Sequence, residues 1–129
     1  NNWDLVDVTT PRIIGDWLLH HPTQRAILNQ LVQSKSLWER RIAVLATLPM
    51  IKVGEFAEIF DLASKLLTDK QDLMHKATGW MLREVGKKNK TTLVSFLDKH
   101  ATQMPRTMLR YALEKFPEKT RKMYLTKKS

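Results

Sequence analysis

The chain has 129 residues, 43% of them hydrophobic, and a formal net charge of +9. This length suffices for one domain with a hydrophobic core. The absence of cysteine excludes disulfides, thiolate metal sites and a cysteine nucleophile. No apolar run approaches the roughly 18 residues of a membrane-spanning helix, and the N-terminal residues show no signal-peptide pattern. These features predict an intracellular, cytoplasmic protein.

The positive charge is concentrated in the second half of the chain. Residues 1–69 hold 7 Lys and Arg against 8 Asp and Glu, a net of −1, whereas residues 70–129 hold 15 against 5, a net of +10. Such asymmetry indicates a phosphate-rich partner. A solubilising surface with a basic tail is the alternative, and charge alone does not decide between the two.

The helical spacing of hydrophobic residues predicts eight α-helices, and no stretch alternates as a strand would. Thr10 and Pro11 are typical of a helix start, Ser36 and Glu39 match a capping box, and Gly86 is placed to end a helix. The predicted helices cover approximately residues 10–20, 22–33, 36–50, 55–67, 69–86, 91–100, 105–116 and 118–125. The side chains predicted to point inward from the first two are Ile13, Ile14, Trp17, Leu18, Ile27, Leu28 and Leu31.

Short turns would join these helices into four consecutive antiparallel pairs, which is the rhythm of a helical-hairpin solenoid. We therefore predict an all-α superhelix that forms a single domain over residues 1–129. Helices at corresponding positions would face one hollow. A compact orthogonal bundle is the alternative, because the repeats share little sequence.

The fifth predicted helix has two different faces. Its apolar face is formed by Leu73, Met74, Ala77, Thr78, Met81 and Val85, the pattern of a helix that faces a core. Lys76, Trp80, Arg83 and Lys87 share another face. Either Trp80 packs under a neighbouring helix and the cations keep the surface soluble, or this row lines a surface for a polyanion.

An arginine on the apolar side of the third helix suggests a buried ion pair. Arg41 lies at an angle close to that of Val44 and Leu45, and an unpaired buried charge is costly. Asp7 is a candidate partner, and the pair has a purely structural interpretation as well as a functional one. No nucleotide-binding loop, nucleophile arrangement or metal-ligand spacing is present, so we predict neither a cofactor nor a metal.

Four motifs resemble the AlkD-type DNA alkylation repair family. They are Trp-Asp-x-x-Asp at residues 3–7, Trp-x-Arg-Arg at 38–41, Gly-Trp-x-Leu-Arg-Glu at 79–84 and Arg-Thr-x-x-Arg-Tyr-Ala at 106–112. The resemblance extends from Asn2 to about Tyr124. It implies a HEAT-like helical-repeat DNA glycosylase that excises N3- and N7-alkylated purines. Members usually carry further helices before the first motif, which implies the C-terminal part of a longer solenoid or a shortened relative.

The resemblance also implies roles for individual residues near the reacting sugar. Trp3 and Trp80 match the two aromatic residues that contact the deoxyribose of the lesion. Asp7 matches the catalytic carboxylate. Arg41 matches the arginine in the cleft that contacts the DNA backbone, and its neighbour Arg40 is the less favoured choice.

Further DNA contacts are expected from the basic half of the chain. The resemblance implies a phosphate contact for Arg83. Helical position and charge, without the resemblance, extend the DNA-binding set to Lys76, Lys87, Lys88, Arg106 and Arg110.

The resemblance thus implies a monofunctional alkylpurine DNA glycosylase, and we expect a monomer that is associated with the nucleoid through double-stranded DNA. Asp7 would stabilise the sugar oxocarbenium and orient the attacking water. The alkylated purine departs neutral, so no general acid is required, and the family is thought to act without base flipping. A non-catalytic helical-repeat module that binds DNA or protein is the alternative.

Overall fold

A computed structural model describes the backbone of residues 3–127 and the side chains of residues 9–127. This part of the chain folds into nine α-helices and two short 3-10 turns, with no strand. The helices are α1 (Trp3–Leu19), α2 (Ile27–Val32), α3 (Leu37–Leu45), α4 (Leu48–Lys52), α5 (Ala57–Lys65), α6 (Asp72–Lys88), α7 (Lys90–His100), α8 (Arg106–Ala112) and α9 (Glu118–Thr126).

Packing between the helices follows their order along the chain. The first helix packs on α3 and α4, α3 packs on α5 and α6, α6 packs on α7 and α8, and α8 packs on α9. Each of these contacts joins elements no more than three apart in the chain, as expected where each repeat rests on its neighbours. The prediction of an all-α helical-repeat solenoid is confirmed.

One continuous hydrophobic core runs through these helices from α1 to α9. Long α6 is its central element, with Met74, Met81 and Leu82 fully buried. Leu18 of α1 and Leu93 of α7 are likewise fully buried. Because so much of α6 is covered, only a narrow strip of it can serve binding.

Several predicted helix boundaries are wrong, three of them beside a proline. The second predicted helix, 22–33, is a 3-10 turn at Pro22–Gln24 followed by α2 at Ile27–Val32. The first helix does not start at Thr10 but runs from Trp3 with Pro11 inside it. Pro11 is buried and lies inside the helix, where a proline cannot donate the usual backbone hydrogen bond. The predicted third helix is instead two helices, and Pro49 lies in the first turn of α4, where a proline is tolerated.

Of two further predictions about helix ends, the one at Gly86 is wrong and the one at Ser36 is confirmed. Gly86 does not end the fifth predicted helix, because α6 continues to Lys88 and Asn89 follows as its cap. The cap at Ser36 is confirmed, since its Oγ accepts a hydrogen bond from the Glu39 N–H at 3.3 Å. The Glu39 carboxylate accepts a hydrogen bond from Ser34 Oγ at 2.5 Å.

Three apolar side chains predicted to point inward are exposed instead. Ile13 is 65% exposed, Trp17 48% and Ile27 44%. They lie on the outer side of the first two helices, while Leu18 and Leu28 take the buried positions. The Trp17 ring stacks on His21, with the ring centroids 4.2 Å apart, which covers part of its surface.

The last helix is tied to the solenoid by a buried tyrosine. Tyr124 is 3% exposed, and its hydroxyl donates a hydrogen bond to Asp98 of α7 at 2.7 Å. Burial, followed by the hydrogen bond and the charge of Asp98, raises the pKa of Tyr124 from 10.0 to about 12. The protonated phenol is therefore favoured by the folded state.

We expect Tyr124→Phe to lower the free energy of unfolding at neutral pH by about 1 kcal/mol, the net value of one hydrogen bond. Since the pKa is raised on folding, the tyrosine's contribution is present below pH 10 and is lost as the pH rises towards 12. Urea unfolding of both proteins at neutral pH and across this interval measures the effect. A difference that does not shrink with rising pH would contradict this account.

A glycine permits a close contact between α6 and α8. A Cβ on Gly79 of α6 would lie 2.5 Å from Tyr111 Cβ and 2.6 Å from the Met108 carbonyl oxygen. Both obstacles belong to α8, and a backbone atom has no rotamer by which to move aside. The absence of a side chain at residue 79 therefore permits α6 and α8 to pack together.

We expect Gly79→Ala to destabilise the fold by about 1–3 kcal/mol, the usual cost of overpacking a tight contact. Gly86→Ala in the same helix is the matched control. Its Cβ would meet only Leu93 Cδ2, at 2.6 Å, and this end of a flexible side chain can rotate away. Thermal unfolding of the two variants compares them, and equal losses would show that the α8 contact is not the limiting one.

Candidate nucleic-acid interface

The two faces predicted for α6 are present in the structure. Met74, Ala77, Thr78, Met81 and Val85 are buried. The opposite strip carries Lys76, Trp80, Arg83 and Lys87, each at least partly exposed. This strip, called here the α6 row, is the part of the helix available to a partner.

The position of Trp80 combines the two arrangements considered from the sequence, which were packing under a neighbouring helix and lining a binding surface. It is half-buried and packs against the core with part of its ring. It also lines a groove of about 430 Å³ between α1, α4 and α6. Part of the Trp80 side chain is therefore accessible at the groove, as contact with a ligand requires.

Two cations at this groove were missed by the sequence analysis. Arg12 of α1 and Lys52 of α4 line the groove together with Trp80, and among the side chains of residues 9–127 that line it Asp16 is the one acidic residue. Arg12 and Lys52 belong to the half of the chain whose net charge is −1. They were not singled out because the net charge of that half is close to zero. The cluster is recognised only from the packing of α1 and α4 against α6.

The cations of the α6 row each have a carboxylate partner. Lys76 Nζ lies 3.5 Å from Asp72 and Lys87 Nζ lies 3.2 Å from Glu84, both on the same helix. Arg83 pairs with Glu114, which follows α8. Exposed pairs of this kind are worth little in water, so a phosphate can compete for these cations.

Arg83 is the least solvated cation of the row. Its side chain is 19% exposed, and its Nε is buried without a hydrogen-bond partner in the described part of the chain. A buried donor without an acceptor carries a desolvation cost. The pairing with Glu114 thus leaves the guanidinium incompletely satisfied.

Arg40 and Arg41 differ sharply in their surroundings. Arg40 forms an ion pair with Asp69 at 3.0 Å and donates hydrogen bonds to the carbonyls of Ser34 and Lys35, both at 3.1 Å. Arg41 is 7% exposed and donates a hydrogen bond to the Leu73 carbonyl at 3.4 Å. Arg41 therefore links α3 to the start of α6, and Arg40 would have to leave its ion pair to reach a phosphate.

The remaining predicted DNA contacts lie outside the groove. Arg106 donates a hydrogen bond to the Leu125 carbonyl at 2.7 Å, which joins α8 to α9. Lys88 and Arg110 are exposed, and neither has an ion-pair partner among the residues whose side chains are described.

The side chains of Trp3 and Asp7 lie outside the described part of the chain. Their positions in α1 precede Pro11, which lines the groove. No group of three or more His, Asp or Glu side chains between residues 9 and 127 is placed to hold a metal ion. No helix within the described residues has the length and apolar character needed to cross a bilayer.

The fold and this surface define a helical-repeat protein with a cationic, tryptophan-lined groove. A family model described as DNA alkylation repair enzyme matches residues 1–116, so the chain belongs to this family. Comparisons with curated proteins and with solved structures give no match.

Proposed function

We propose that the protein is a DNA glycosylase that removes N3- or N7-alkylated purines from double-stranded DNA as a monomer, without flipping the base. Membership of a DNA alkylation repair family supports the chemistry. The observation that carries the proposal is the half-buried Trp80, which lines a cationic groove beside α1. An aromatic face against the sugar and cations against phosphates are what such a substrate requires.

The proposed reaction breaks the glycosidic bond between C1′ of the sugar and N9 of the alkylated purine. The bonding electron pair goes to the purine, whose positive charge is thereby neutralised, so no acid has to protonate it. Ordinary glycosidases need two carboxylates for this work. A water then attacks C1′ and loses a proton, which leaves an abasic sugar.

Asp7 is the carboxylate proposed to stabilise the positive sugar and to orient that water. Helical geometry supports this role, because position 7 lies one turn before Pro11 on α1, and Pro11 lines the groove with Trp80. Trp3, one further turn back, is proposed as the second indole at the sugar. Arg41 is proposed to contact the DNA backbone, with an ion pair to Asp7 as its structural alternative.

The phosphate contacts are proposed to come from the α6 row, with Lys88, Arg106 and Arg110 extending them. Arg40 is the least available member of the set because it is held by Asp69. Arg12 and Lys52 join the set because they line the groove. Binding of this kind weakens steeply with salt, since each phosphate contact releases a counterion.

A non-catalytic DNA- or protein-binding scaffold is the second candidate. The observation in its favour is that Lys76, Arg83 and Lys87 each have a carboxylate partner, as a solvated surface would. The two candidates differ in one assay. Incubation with methylated duplex DNA either releases free 3-methyladenine or 7-methylguanine, or it does not.

We expect Asp7→Asn to abolish release of 7-methylguanine while leaving DNA binding largely intact, because the amide keeps the shape but loses the charge that stabilises the sugar cation. Base release is followed by chromatography and binding by fluorescence anisotropy. Asp61→Asn, the same chemical change on the exposed surface of α5, is the control. Unchanged release by the Asp7 variant would rule out the carboxylate role.

We expect Arg83→Ala to weaken binding to all duplex sequences and to reduce the salt slope by about one unit, the loss of one phosphate contact. Since Glu114 competes for the same guanidinium, Glu114→Gln should tighten binding in the parent protein but not in the Arg83→Ala background. Glu118→Gln, an equal change in charge at an exposed position of α9, is the control. A salt slope equal to that of the parent would argue that Arg83 faces elsewhere.

A further inference from the structure

A small cavity lies where the end of α6, the start of α7 and the segment after α8 meet. Its volume is about 60 Å³. Of the eight residues between 9 and 127 that line it, four are cationic and none is acidic. The cationic ones are Arg83, Lys87, Lys90 and Lys115. Lys90 and Lys115 were not singled out by the sequence, because they lie on different elements 25 positions apart.

Helix dipoles account for Lys87 but not for Lys90. Lys87 is in the last turn of α6, where the partial negative charge of a helix end favours a cation. Lys90 is the first residue of α7, an 11-residue helix with no acidic residue in its first turn. The positive end of that helix disfavours a cation, so the dipole of α7 gives no reason for a lysine there.

Lys90 and Lys115 differ from the other two cations of the cavity in their partners. Lys90 Nζ lies 5.1 Å from the centroid of the Phe116 ring, a contact that holds the ammonium at the cavity. Neither lysine forms an ion pair with any residue between 9 and 127. The other cations of the cavity differ in this respect, since Lys87 pairs with Glu84 and Arg83 with Glu114.

We infer that this cavity is a subsite for one phosphate of the DNA backbone, bound by Lys90 and Lys115. The inference rests on the proposed function for its ligand, duplex DNA, but it needs no alkylated base. Arg83 belongs to the α6 row and also lines the cavity. The subsite therefore extends the α6 row away from the groove. A bound phosphodiester supplies the negative charge that this cluster of cations and the start of α7 lack.

Lys90→Gln, Lys115→Gln and the double variant test the subsite. Binding to unmodified duplex DNA is measured over a series of salt concentrations, and thermal unfolding verifies the fold of each variant. The double variant should lose about one unit of salt slope. Each single variant should lose part of it, with less than additive effects, because both lysines serve one phosphate.

Lys35→Gln is the matched control. Lys35 is exposed in the connection before α3 and has no ion-pair partner among the residues whose side chains are described. It should leave the slope unchanged. A double variant with the parent's slope, or a Lys35 variant with an equal loss, would overturn the subsite in favour of general charge.

Inorganic phosphate distinguishes a backbone phosphate from a free one. Titration of the parent protein, followed by the amide shifts of residues 86–90, should show only weak binding. Saturable shifts together with an unchanged DNA slope in the double variant would assign the cavity to free phosphate and overturn the proposal. Because unmodified DNA is used, failure of base release would leave this result interpretable, and failure of the subsite would leave the glycosylase assay interpretable.

Discussion

The contact of α8 with Gly79 is the constraint on which the rest of this structure depends. With a Cβ at this position the helices would have to separate, because the Met108 carbonyl and Tyr111 Cβ already occupy the space. The next residue along α6 is Trp80, and Arg83 follows one turn later on the same strip. The close contact therefore fixes the rotation of α6, and that rotation decides which side chains reach the groove and which reach the core.

The helical class of the fold was predictable because apolar spacing is a local signal, and so was the cap at Ser36. Boundaries near Pro11 and Pro49 were not, since a proline starts a helix or lies inside one according to how its ring packs. The first two helices show a similar limit. Ile13 and Trp17 match a helical apolar stripe, yet of the four apolar residues predicted to point inward from the first helix only Leu18 is fully buried.

Only the part of the site that lies on a single helix, α6, was predictable from the sequence. The α6 row could be read from its spacing of three and four residues, including the division between core and surface. The cluster of Arg12, Lys52 and Trp80 could not be predicted, because three separate helices supply it. Both of its cations lie in the half of the chain with negative net charge. The pairing of Arg83 with Glu114 likewise depends on where α8 ends relative to α6.

Net charge alone overstates how many cations are available for binding. In the basic half, Lys76, Arg83 and Lys87 are paired with carboxylates, so a ligand gains from them only the difference between two partners. Lys90 and Lys115 have no such partner between residues 9 and 127, so a phosphate reaching them need not displace a carboxylate. In the proposed complex, duplex DNA lying along α6 would be held by its backbone at Lys90 and Lys115, while the sugar facing Trp80 reacts at the groove.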